Sequence, residues 1–115
     1  MLTALKTRFH GEHYSQGGGP LVLYDDNRDV ITVGSRESLV IESVQLVTED
    51  EGEAAVFFSD TAGAGKYLAR GQFRERGGVV SQLSTFRVGQ PGEGVTCSGP
   101  GTGIVSAFVS GYIAK

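Results

Sequence analysis

The sequence has no tryptophan, only one cysteine and only three prolines in 115 residues. Because Cys97 has no partner within the chain, no intrachain disulfide supports the fold. No apolar stretch is long enough to span a bilayer, and the N-terminus, MLTALKTRFHGEH, lacks the basic start and apolar run of a signal peptide. These absences predict a chain that is made and used without membrane passage, and whose stability comes from packing or assembly.

An excess of positive charge is also missing. Ten Lys and Arg residues against 13 Asp and Glu residues give a formal net charge of −3. Proteins that bind duplex nucleic acid carry a basic balance or a basic face, so we expect no nucleic-acid partner. The chain is 39% hydrophobic and 20% charged, which is typical of a folded domain, and its length suits a single one.

Short apolar runs separated by turn residues follow one another from Pro20 onward. In order they are LVLY, VITV, LVIESVQLV, AAVFFS, KYLARGQF, VVSQLSTF, VTCS and IVSAFVSGYIA. About eight short strands with turns about every 8 to 12 residues are typical of a β-sandwich or barrel. We predict an all-β fold: an antiparallel, jelly-roll-like β-sandwich over residues 20–115, preceded by an extended N-terminal arm over residues 1–19, where three consecutive glycines break any helix.

The longest of these runs changes phase in its middle. Leu39 and Ile41 share one face by strand alternation, whereas Val44 and Leu46 fall on the opposite face. A β-bulge at residues 42–43 turns all four apolar side chains to the core, and we predict one there.

The string GAGKYLARG contains the glycines and the lysine of a phosphate-binding loop. However, the position five before Gly65 is Asp60, an acid that repels phosphate, where such a loop has glycine. Tyr67 follows the lysine, so the hydroxyl ligand for the metal is also missing. We interpret the string as a glycine turn that enters a strand, and we expect no cofactor.

Two patterns have some of the ligands of a metal site. His10 and His13 are the only histidines, and neither a cysteine nor a third histidine lies near them to complete a zinc site. Asp25, Asn27 and Asp29 have the alternating oxygens of a calcium loop, without its glycine or its bidentate acid. We therefore expect solvated histidines, a tight turn that the acidic side chains close by hydrogen bonds, and no bound metal. Three arms that met on a symmetry axis would raise the number of histidine ligands.

No catalytic arrangement is complete. The acidic run EDEGE lies in a predicted hairpin connection, where charges are usually solvated. Cys97 has neither a histidine nor a cluster of positive charge nearby in sequence, so we expect a buried, inert thiol. The serines follow no nucleophile pattern, and we expect no enzymatic activity and no catalytic residue.

The C-terminal strand carries large apolar residues on both of its faces. One face is an ordinary core face, formed by Val105, Ala107, Val109, Gly111 and Ile113. The opposite face consists of Ile104, Ser106, Phe108, Ser110 and Tyr112. A sandwich buries only the inner face of each sheet, so we expect another polypeptide to cover this second face.

Charge is unevenly distributed along the chain. Ten of the 13 acids lie between residues 25 and 60, and five of the ten basic residues lie between residues 66 and 87. Alternation in KYLARGQFR predicts a cationic stripe on one face of a strand. That face carries Lys66, Leu68, Arg70, Gln72 and Arg74, and the opposite face carries Tyr67, Ala69, Gly71 and Phe73. Such separation suits docking to copies of the chain or to an acidic surface, although it also serves solubility.

In these features the chain resembles the small jelly-roll decoration, or cement, proteins of tailed-phage capsids. The resemblance is one of architecture and covers residues 20–115: a glycine-rich domain of short strands, an N-terminal arm, one unpaired cysteine and no active site. It implies a virion protein, assembled in the host cytoplasm, that forms a homotrimer and braces the shell by binding the major capsid protein or another virion protein.

We therefore predict a non-enzymatic structural protein that binds other proteins through three groups of residues. The arm contributes Leu2, Leu5, Phe9 and Tyr14; the basic stripe contributes Arg70, Arg74 and Arg76; and the terminal strand contributes Ile104, Phe108 and Tyr112. One alternative is a carbohydrate-binding or adhesive module, such as a phage tail or fibre component, with an aromatic platform around Tyr24, Tyr67 or Tyr112. The lack of tryptophan argues against it. The other is a small cupin-type enzyme with a metal held by histidines on strands.

Overall fold

A computed structural model of the chain describes residues 7–58, 67–74 and 77–115, without the side chains of residues 79–86. These residues form ten strands and no helix: β1 (Thr7–Gln16), β2 (Gly19–Pro20), β3 (Val22–Asp25), β4 (Val30–Ile31), β5 (Ser38–Thr48), β6 (Gly52–Phe58), β7 (Tyr67–Phe73), β8 (Gly78–Val88), β9 (Val95–Ser98) and β10 (Ile104–Ala114). None of the described residues forms a helix long and apolar enough to cross a membrane.

The strands form two antiparallel sheets, which confirms the predicted all-β sandwich. The six-stranded sheet has the order β4-β3-β1-β10-β5-β8, and the four-stranded sheet has the order β2-β9-β6-β7. The pairs nest from the chain ends inward, with β1 on β10, β2 on β9, β5 on β8 and β6 on β7. Among the strands that the structure describes, only the β3–β4 hairpin lies outside this nesting, as an extension of the six-stranded sheet beside β1.

The eight predicted strands correspond to β3 through β10, but the predicted N-terminal arm is wrong for Thr7–Gln16. This segment is β1, which pairs with β10 along its whole length and with β3 over four residues. Phe9 is buried in the core, and a side chain at Gly11 would press on Leu23, 2.7 Å from its Cδ2. The strand was not apparent from the sequence, because the inward side of β1 carries Gly11 at a position where a strand pattern shows a large apolar residue. Leu2 and Leu5 lie outside the described residues.

The predicted bulge in β5 is confirmed. Ile41 pairs with Gly111 and Ser43 pairs with Ser110, so Glu42 has no opposite residue on β10. The four apolar side chains that flank the bulge are each at most 1% exposed: Leu39 and Ile41 before it, and Val44 and Leu46 after it. Gly111 permits the close approach of the strands here, because a Cβ at this position would collide with the carbonyl oxygen of Val40.

A second bulge, in β7, corrects the predicted stripe. Val56 pairs with Ala69 and Phe57 pairs with Tyr67, so Leu68 is the extra residue. Leu68 and Ala69 both pack on the core, and the alternation reverses between them. Leu68 therefore does not share a face with Arg70, whereas Tyr67 does.

Candidate protein-contact face

The exposed large apolar side chains of the described residues all lie on one surface. We call it the outer face: the side of the six-stranded sheet that points away from the four-stranded sheet. Each of the six strands contributes one such side chain: Val30, Val22, Tyr14, Phe108, Val47 and Val88, from one edge of the sheet to the other. Laterally paired residues point to the same side, and Tyr14 and Val47, for example, both pair with Ser106.

A row of aromatic rings crosses the middle of the outer face. His10 on β1 stacks on Tyr24 of β3, with ring centroids 5.3 Å apart, and on Phe108 of β10, with centroids 5.6 Å apart. The planes are inclined by only 22° and 20°, so the rings stand nearly parallel, with their faces towards one another. The guanidinium of Arg28 lies over the Tyr24 ring, 5.4 Å from its centroid, and extends the row by a cation–π contact.

The Asp25–Asp29 segment is a tight turn, as the sequence analysis predicted. One Asp25 carboxylate oxygen accepts hydrogen bonds from the backbone N–H groups of Asn27 and Asp29, at 2.9 and 3.0 Å. Arg28 adopts a left-handed backbone conformation, with φ of 64°. The turn therefore fixes the backbone from which Arg28 reaches Tyr24.

Charge on the outer face is compensated in pairs. Arg8 contacts Glu42, the residue left over at the bulge, at 2.7 Å, and Arg28 contacts Glu12 at 3.5 Å. The four side chains sum to zero charge. The outer face therefore carries apolar and aromatic side chains interspersed with paired ions, and Glu12 lies between Val22 and Phe108.

Two concavities lie on either side of Tyr14, which is 77% exposed. The larger one has a volume of about 580 Å³, and its lining includes Val22, Tyr24, Gln45 and Phe108. The smaller one, of about 210 Å³, includes Ile104. Tyr14 and Ser106 border both of them. The outer face thus presents a projecting aromatic side chain next to a hollow.

The structure brings together only some of the predicted contact residues. Tyr14, Phe108 and the half-buried Ile104 and Tyr112 belong to the outer face, while the alternate residues of β10 are buried as predicted. Phe9 does not belong to it: its side chain is 3% exposed and packs in the core, because it lies on the inward side of β1.

The described part of the predicted basic stripe is on the other side of the molecule. Arg70 lies on the outward side of the four-stranded sheet, where its guanidinium contacts Glu53 at 3.1 Å and lies over the Tyr67 ring at 4.8 Å. Phe57 packs edge-on against the same ring. Arg74 is exposed at the end of β7. Arg76 and Lys66 lie outside the described residues, as does Asp60 of the glycine string.

The histidines are separated by the sheet. His10 is part of the aromatic row, whereas His13 lies on the other side of β1, with its Nε2 at 3.0 Å from the carbonyl oxygen of Gly17. Within the described ranges, no group of three or more His, Cys, Asp or Glu side chains is placed to hold a metal ion. Cys97 is buried, as predicted, and burial raises the pKa of its thiol.

Much of the outer face was not predicted from the sequence: His10 and the four exposed valines were not expected there, and Tyr24 was expected only as part of a sugar-binding platform. A signal was present in PLVLY, where Val22 and Tyr24 alternate with leucines that are buried in the structure.

Comparison of the chain with protein-family models, with curated proteins and with solved structures finds no match. What the chain does is therefore argued from the outer face itself.

Proposed function

We propose that this chain is a non-enzymatic structural protein that assembles with copies of itself and binds a larger protein surface, as the decoration protein of a viral shell. One observation carries the proposal: six strands each place one exposed large apolar side chain on the same face. Exposed apolar side chains that gather on one face, rather than scatter singly over the whole surface, mark protein contacts.

The composition of the outer face supports a protein partner. Tyr14 and Phe108 are aromatic anchors, and Ser106 and Ser110 are small polar neighbours on the same side of β10. Protein contacts combine aromatic anchors with a surround of this type. The nested strand pairing is also the connectivity of two Greek keys rolled together, which favours the jelly-roll form that this class of shell protein has.

The alternative is a carbohydrate-binding module, and the concavity beside Tyr14 favours it. Its lining includes hydroxyl, amide and carboxylate groups, which a sugar would need. However, a sugar stacks on an open ring face. His10 is stacked between Tyr24 and Phe108, so the aromatic row does not form a flat platform. We therefore favour the protein partner.

The test compares three immobilised proteins: the wild type, the double variant Tyr14→Ser/Phe108→Ser and the control Tyr67→Ser, which alters an aromatic on the opposite sheet. Each is exposed to a lysate of cells that make shells or particles containing the chain, and the retained protein is then purified. We expect the wild type and the control to bind that purified protein directly, and the double variant to bind it at least about tenfold more weakly.

The same three proteins are applied to a glycan array. Specific glycan binding by the wild type that the double variant loses, with no protein bound directly by either, would contradict the proposal and support the carbohydrate-binding module. Equal binding of the purified partner by all three proteins would also contradict it, because the outer face would then have no role.

A further inference from the structure

We propose that the outer face binds a second copy of this chain, packed face to face across a two-fold axis. This inference rests on the proposed function, because it names the copy of the chain that covers the same face before the larger protein surface binds there. Three properties of the outer face favour a second copy over another occupant: its area, its charge and its shape.

The area fits a standard interface. Six strands at a spacing of about 4.8 Å are about 24 Å across, and the ten residues of β1 extend over about 33 Å. The outer face therefore offers up to about 800 Å², which is about what one partner buries in a stable protein–protein complex. A loop or a short peptide would leave much of it exposed.

The charge suits self-association. The chain has a formal net charge of −3, so the surfaces of two copies that lie outside the outer face repel one another weakly. On the outer face, Arg8 neutralises Glu42 and Arg28 neutralises Glu12. Where two such faces meet, these four side chains add no net charge, and a strongly acidic or basic partner gains little attraction from them.

The shape is self-complementary. A two-fold axis brings the same patch of both copies together, so that a projection on one copy must fit a hollow on the other. Tyr14, 77% exposed, is the projection, and the concavity of about 580 Å³ beside it is the hollow. In this arrangement each Tyr14 ring enters the partner's hollow near Val22, and its hydroxyl can donate a hydrogen bond to the carboxylate of Glu12, which pairs with Val22 and lines the same hollow.

The first experiment is sedimentation equilibrium of the wild type, Tyr14→Ser and the control Tyr67→Ser, from about 1 µM to about 1 mM. We expect a monomer–dimer equilibrium for the wild type and the control, and at least about tenfold weaker association for Tyr14→Ser. Because Tyr14 is exposed, thermal melting of the Tyr14→Ser monomer should match that of the wild-type monomer, so weaker association does not reflect unfolding.

The second experiment tests the orientation with variants that each carry one added cysteine, mixed as separate chains. Val22→Cys mixed with Tyr14→Cys should be linked into a heterodimer by a short bis-maleimide, because the Tyr14 ring that bridges the two positions holds their backbones farther apart than a direct disulfide allows. Val22→Cys mixed with Thr96→Cys, on the other sheet, should not. Cys97 is buried in all of them and does not compete in the folded state. Equal cross-linking in both mixtures would overturn the face-to-face arrangement.

A wild type that stays monomeric at the highest concentration would overturn the inference, and so would a Tyr14-dependent trimer. A different set of outcomes would contradict the proposed function. If the chain is monomeric but the double variant still loses the purified partner, the inference is wrong and the proposed function stands. If neither self-association nor partner binding depends on Tyr14 and Phe108, both are wrong.

Discussion

His10 stacks on Phe108 across the β1–β10 pair, with ring centroids 5.6 Å apart and the planes inclined by 20°. This contact joins segments that are far apart in sequence, since β1 is the first and β10 the last strand of the described residues. His10 also stacks on Tyr24, so it is the central ring of the row. The aromatic centre of the outer face therefore depends on a residue that is neither large nor strongly apolar.

Replacing this central ring should destabilise the fold and loosen Phe108. We expect His10→Ala to lower the free energy of unfolding by about 1 to 2 kcal/mol, because two stacked contacts are lost at about 0.5 to 1.5 kcal/mol each and the site is only partly buried. Urea denaturation followed by circular dichroism measures the change. His10→Phe, which keeps a ring between its neighbours, should recover most of the loss. An alanine variant as stable as the wild type would contradict the role of the row.

The close contact between strands at the β5 bulge predicts that a side chain at Gly111 lowers stability. Gly111→Ala should lower the free energy of unfolding by about 2 kcal/mol or more, because its Cβ would collide with the Val40 carbonyl oxygen, a backbone atom that cannot move alone. Gly101→Ala is the matched control, since nothing lies within 4 Å of a Cβ there. We expect the control to change stability by less than about 0.5 kcal/mol in the same urea titration. Equal effects of the two substitutions would show that the strand contact at Gly111 is looser than described.

Burial of Cys97 predicts both its reactivity and a pH dependence. In the folded protein the thiol should react with a disulfide reagent far more slowly than in urea, because it is inaccessible and its raised pKa disfavours the thiolate. The raised pKa means that the folded state retains a proton which the unfolded state releases above about pH 9.0. Stability from this group is thus fully present below that pH and is lost as the pH rises towards the folded-state pKa.

The measurement compares the wild type with Cys97→Ala in urea titrations at neutral pH and above pH 9.0. We expect the wild type to lose more stability than the variant between the two conditions. Fast labelling of the native thiol, or an identical pH dependence in both proteins, would contradict its burial.

The ion pair between Arg70 and Glu53 predicts a small effect. Both side chains are more than half exposed, at 54% and 55%, so the pair is largely screened by solvent. Arg70→Ala should therefore change the free energy of unfolding by no more than about 1 kcal/mol, and the difference should shrink in high salt. Stability curves at low and high salt check this. A salt-independent loss would show that packing on Tyr67 is the larger contribution.

The sequence predicted those parts of the fold in which large apolar residues mark the inward side of a strand. The bulge in β5 followed from two strongly apolar pairs on opposite parities, Leu39 with Ile41 and Val44 with Leu46. In β7 the bulge was not predicted: strict alternation placed Leu68 on the face of Arg70, and Ala69 and Gly71 are too small to show that the phase reverses after Leu68.

The candidate site was harder to predict than the fold. Val22, Val47 and Val88 are distant in sequence, and only the strand order places them on one face. β1 was not predicted for a related reason. After Phe9, the next residue that points inward is Gly11, and the residues of β1 that point outward are mostly polar. The second apolar face of β10 was the one strong signal, because a strand that is apolar on both sides cannot be an ordinary surface strand.

The central claim is that the outer face of the six-stranded sheet is covered by protein when the molecule assembles. Hydroxyl-radical footprinting of Tyr14, Phe108 and Tyr67 tests it most directly, with the protein dilute, concentrated and bound to its purified partner. The account predicts that oxidation of Tyr14 and Phe108 falls on assembly, while that of Tyr67 on the other sheet stays constant. Unchanged oxidation of Tyr14 and Phe108 under all three conditions would contradict it.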